Sequence, residues 1–168
     1  MLDAGLDLLP FALAITTPGY LVGRLARRVS PRVVAVVTLG CEVVALGLLA
    51  GPHPSAATVV ILTALFGVGH GGTLAVEYVL LTGAVPAPEA GSAIGLACAA
   101  DGISGAVASA VTTALLAARL VRAGPLTLPA AAGYGHVWLG GAAVATAGAV
   151  WSWLSGVRAR RARRSPAH

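Results

Sequence analysis

Four ionisable residues stand inside stretches built almost wholly of alanine, glycine, valine and leucine: Glu42, His70, Glu77 and Asp101. A charge placed in hydrocarbon is expensive, so such residues face protein or a wet cavity and mark routes for protons or ions. Taking a carboxyl out of water stabilises its protonated form and brings its titration toward neutrality, which suits proton exchange. His70 and Glu77 are seven residues apart, so they share one face of a helix, and Thr63 and Thr73 fall on or near that face. Around His70, the run Gly67-Val68-Gly69-His70-Gly71-Gly72 puts four glycines in six residues, which permits close helix approach. It reads either as a packing seam, with His70 bonded to a carbonyl, or as a flexible stretch lining a pathway.

Other chemistries find no support in the sequence. No His-Glu-x-x-His, Gly-x-Ser-x-Gly or paired-carboxylate protease pattern occurs, so we expect no enzyme, no catalytic residue, no metal and no cofactor. Cys41 and Cys98 lie in apolar spans and read as small packing residues. The net charge of +5 comes from arginine alone, and the arginines cluster beside apolar spans, as cytoplasmic membrane flanks do. That distribution argues against a nucleic-acid partner.

The elements that must hold these residues are helices long enough for a bilayer. The chain has 168 residues, 57% hydrophobic and 10% charged, with mean hydropathy +0.87. A soluble domain carries about 25% charged residues. The pattern predicts an all-α integral membrane bundle of five spans, about 6–25, 33–50, 56–83, 91–118 and 136–157, with a basic tail over 158–168. The first span holds Pro10 and Pro18, with Thr16 and Thr17 available for a freed carbonyl. His53 falls in a solvated turn. Gly91, Gly95 and Ala99 form a small-xxx-small ladder, and Asp101, set among small residues, is expected to point inward. A longer connection runs from Arg119 to Gly135.

Arginine counts set the orientation. Arg24, Arg27, Arg28 and Arg32 mark one loop as cytoplasmic, and five arginines in 158–164 mark the tail. The N-terminus then lies outside and the C-terminus inside a cell membrane, with Arg119 and Arg122 on the outer side. The tail is placed to meet anionic lipid. At ~1.5 Å rise per residue, Glu77 lies ~10 Å from the cytoplasmic ends, Glu42 and Asp101 ~14–15 Å, and His70 ~20 Å. Three acids at one level on three helices predict a polar layer. Met1 to Asp7 has no basic n-region, and the first span starts at once, as in a chain that begins partway through a larger architecture.

Three stretches resemble the C-terminal part of a major facilitator superfamily transporter, closest to the fourteen-helix drug:proton antiporter branch. Ala4–Arg32 looks like a helix ending in the family's G-x-L-a-D-r-x-G-r-r loop: Gly23, Leu25, Arg28 and Arg32 match and Arg24 lies within it, while Arg27 replaces Asp and Ser30 replaces Gly. Gly67–Gly72 resembles the branch's glycine-rich helix. Val85–Val111 resembles its segment beginning "vP", through Pro86, Gly91, Gly95, Gly105 and Ala106, with Asp101 where Arg often stands. The resemblance implies proton-coupled efflux of small organic molecules by a truncated or split carrier. Its partners would be the bilayer, protons, an organic substrate, and a missing helical bundle or a second copy. It implies packing roles for Gly67, Gly71, Gly91, Gly95 and Gly105. The alternative is a non-transporting membrane protein that pairs with a full carrier.

Overall fold

The computed structural model describes residues 2–25, 28–52, 55–123 and 126–164. His53, Arg27 and residues 165–168 of the tail lie outside them. Five long helices follow one another: α1 (Leu2–Leu25), α2 (Pro31–Leu49), α3 (Ala56–Thr82), α4 (Ala90–Ala117) and α5 (Ala131–Arg164). A single 3₁₀ turn, Ala87–Glu89, leads into α4. Local chemistry sets several ends. Pro31 opens α2, where its missing N–H is not needed. The Ser55 hydroxyl accepts from the Thr58 N–H and caps α3. Pro86 follows α3 and cannot continue it.

Among the described residues, four regions, Pro31–Leu49, Ala56–Thr82, Ala87–Ala117 and Ala131–Ser155, are long and apolar enough to cross a membrane. Within the 24 residues of α1, the described stretch Leu9–Val22 is apolar. Pro18 frees the Ala14 carbonyl, but the Thr16 and Thr17 hydroxyls both donate to the Leu13 carbonyl instead, at 2.9 and 2.8 Å.

Two expectations are corrected. The connection after α4 contains an antiparallel hairpin, β1 (Leu120–Ala123) with β2 (Leu126–Pro129), Leu120 pairing Pro129. The last helix starts at Ala131 rather than His136 and runs on to Arg164, taking in the backbone of most of the basic tail.

Packing follows a chain of neighbours: α1 on α3, α3 on α2, α2 on α5. Glycines set the closest approaches. Gly67 and Gly71 of α3 lie against Phe11, Ala14 and Ile15 of α1, in parallel register. Gly69 and Gly72 lie against Thr38 and Glu42 of α2, in antiparallel register. On the other side of α2, Gly141 and Gly148 of α5 meet Leu46 and Leu39, again antiparallel. Val22, Val34, Ala35 and Val76 close the core where α1 ends and α2 begins. By contrast α4 packs lightly on α3 and α5, and none of its residues is buried.

Candidate functional site

The seam between α2 and α3 holds the one buried charged side chain among the described residues, Glu42, 7% exposed. Its position is a consequence of glycine. A Cβ at Gly69 would lie 2.8 Å from Glu42 Cγ and 2.9 Å from Glu42 N, so only a bare α-carbon lets the two backbones meet here. The Glu42 carboxyl then reaches Thr73, one turn beyond Gly69. Thr73 Oγ1 donates to Glu42 Oε1 at 2.7 Å. It also lies 3.1 Å from the Gly69 carbonyl and 3.1 Å from Thr38 Oγ1. Thr38 donates to the Ala35 carbonyl at 3.1 Å. No buried side-chain polar atom among the described residues lacks a partner.

The other three predicted residues lie elsewhere. His70 is half-buried on the α1 side of α3, where it stacks on Phe66 (centroids 5.6 Å, 17° between planes). Phe66 stacks in turn on Phe11 (5.8 Å, 9°). Glu77 and Asp101 are both exposed, on the flank where α3 meets α4. The Asp101 carboxylate is near enough to act on Glu77 electrostatically. Beside them the Tyr78 hydroxyl and Cys98 thiol are 3.5 Å apart. The side-chain hydrogen bonds thus run through Glu42, Thr73 and Thr38 on one flank and through Tyr78 and Cys98 on the other. His70, Glu77 and Asp101 take part in neither.

The expected single layer of acids is therefore split, and Asp101 does not point inward. Rise along a helix gives depth, but a carboxylate's partner depends on which way round the helix it faces, and α4 offers Asp101 no covering neighbour. The glycine expectations divide in the same way. Gly67 and Gly71 pack as expected, whereas Gly91, Gly95 and Gly105 meet nothing within 4 Å among the described residues. Gly23 and Arg24 lie in the last turn of α1, and Arg24, Arg28 and Arg32 are exposed. Among the described residues no three His, Cys, Asp or Glu side chains converge as a metal would need.

Thr38 and Phe66 escaped the sequence reading. Both carried a usable signal, since each stands four residues before an ionisable one, Glu42 and His70, on the same helical face.

The geometry defines a class: a helical bundle with four helices of membrane-crossing length and one carboxyl held inside by hydroxyls. No family model matches the chain, and comparisons with curated proteins and with solved structures find no match either.

Proposed function

We propose that this chain is a transporter-like membrane protein that couples proton movement to the export of small organic molecules, working together with a second helical bundle. Glu42 is the group that takes up and releases the proton. The observation that supports this most is the buried Glu42–Thr73 bond between two apolar helices. A carboxylate has little structural reason to be there, since a well-packed apolar pair of similar volume is often as stable or more so. Glu77 and Asp101, on the flank where α3 meets α4, are a secondary acid pair, with Glu77 nearer the proposed cytoplasmic face than Glu42. The arginine clusters support a cell-membrane location with the C-terminus inside.

The test is ethidium efflux from cells that express the chain. The wild type is expected to export the dye in a way that an uncoupler abolishes, and Glu42→Gln to stop it. Normal export by Glu42→Gln overturns the assignment of Glu42. A wild type that exports nothing overturns transport and leaves the second reading, a non-transporting partner of another membrane bundle. The lack of any buried residue on α4 favours that reading, because such a helix is a surface that another bundle could cover.

A further inference from the structure

We infer that Thr73 is a positioning residue for the proton on Glu42: its hydroxyl changes acceptor when the carboxyl changes charge. This rests on Glu42 being the proton-exchanging group. Thr73 Oγ1 has three acceptors within reach, Glu42 Oε1 at 2.7 Å, the Gly69 carbonyl at 3.1 Å and Thr38 Oγ1 at 3.1 Å. A threonine hydroxyl carries one proton, so these contacts are alternatives and not a set.

Each charge state of Glu42 selects one of them. An ionised carboxyl only accepts, and a charge-assisted bond is the strongest available, so the Thr73 proton points at Oε1. The Gly69 carbonyl then keeps its helical partner, the Thr73 N–H, and is not orphaned. A protonated carboxyl has a hydrogen of its own. It donates to Thr73 Oγ1, and the Thr73 proton turns to the Gly69 carbonyl. The proton that Glu42 gains comes from water and returns to water, while Thr73 keeps its own throughout. Glu42 Oε1, Thr73 Oγ1 and the Gly69 carbonyl each have a partner in both arrangements.

The surroundings leave Thr73 as the partner that decides. From α3 the Gly69 α-carbon lies against Glu42 and the Thr73 hydroxyl meets its carboxyl. The other titratable groups of α3 are engaged elsewhere: His70 stacks on Phe66, and Glu77 and Tyr78 lie with Cys98 and Asp101 toward α4. The α5 stretch packed on α2, from Val137 to Ser155, has no titratable residue, and α1 between Leu9 and Val22 has only the exposed Tyr20. On α2 itself Cys41 is half-buried and Arg32 is exposed, nearly three turns away.

Infrared difference spectra of the full chain in lipid, recorded against pH, test this without any transport. The carbonyl band of protonated Glu42 is assigned by its loss in Glu42→Gln. In Thr73→Val the ionised carboxyl loses its donor, so the band is expected to appear at a higher pH than in the wild type. Thr73→Ser keeps the hydroxyl and is expected to titrate with the wild type. Thr73→Ala, which also lacks the hydroxyl, is expected to match Thr73→Val and serves if the valine variant does not fold. Thr73→Val or Thr73→Ala titrating with the wild type overturns the inference, and so does Thr73→Ser behaving like Thr73→Val. If Glu42→Gln still exports dye, the proton-coupling role falls while the titration result stands. If Glu42→Gln is inactive and Thr73→Val titrates normally, the role stands and the hydroxyl's part falls.

Discussion

Alanine placed at two glycines of this chain should change stability in opposite directions. At Gly71 a Cβ would collide with the Ile15 carbonyl oxygen and lie 2.8 Å from the Ile15 carbonyl carbon and 3.0 Å from its Cα. All three atoms are backbone, so no side-chain rotation relieves the overlap and α1 must shift off α3. Overpacking of this kind costs about 1–3 kcal/mol. Three short backbone contacts put the cost at the upper end, about 2–3 kcal/mol, and better helix propensity gives back about 1 kcal/mol, so Gly71→Ala should destabilise by about 1–2 kcal/mol. At Gly95 nothing lies within 4 Å. There the propensity term acts alone, and Gly95→Ala should be neutral or stabilising by up to about 1 kcal/mol. Unfolding in mixed micelles by increasing sodium dodecyl sulfate, followed by helical circular dichroism, measures both. A neutral Gly71→Ala, or two variants shifted in the same direction, would refute the glycine-seam account of how α3 meets α1.

Other expectations follow from the same contacts. Glu42→Gln keeps the shape of the side chain, so its stability in the same unfolding assay should lie within about 1–2 kcal/mol of the wild type even though proton exchange is lost. Phe66→Leu removes two ring stacks, each worth about 0.5–1.5 kcal/mol, and should lower stability accordingly. Ser55→Ala removes the α3 cap and should cost about 1 kcal/mol, seen as fraying of that end by amide exchange. A short bismaleimide should link Leu46→Cys to Gly141→Cys and not to Gly148→Cys, because α2 and α5 run antiparallel with Leu46 at Gly141.

Much of the fold was legible in the sequence, because apolar length and proline spacing act locally. The bounds of the second, third and fourth spans differ from α2, α3 and α4 by no more than a turn. The hairpin was not legible. Its strands have four residues each and no clear alternation, and such short runs are ambiguous. The start of α5 was hidden for another reason. Gly133 and Gly135 read as loop residues, yet they lie inside the helix, where a Cβ would come 3.4 Å from Leu116 and 3.3 Å from the Ala50 carbonyl. Their small size serves tertiary contact there, which local propensity cannot report. The site was half legible. Glu42 stood out as a charge in an apolar run, but its partner could be found only once α2 and α3 were docked. Asp101 stood out equally, and it failed as an inward residue because it lies exposed on α4, with Glu77 beside it and nothing over it among the described residues.

The account depends most on lipid, not water, bathing the outer faces of these helices. Nitroxide labels at Ile61 and Leu96, 66% and 75% exposed, and at Ala45, fully buried, test this in protein reconstituted into vesicles. Collision with dissolved oxygen should dominate at Ile61 and Leu96, with a water-soluble nickel chelate excluded, and neither reagent should reach Ala45. Free collision of the nickel chelate with Ile61 and Leu96 would mean that water covers these faces, and the membrane bundle with its buried proton site would be contradicted.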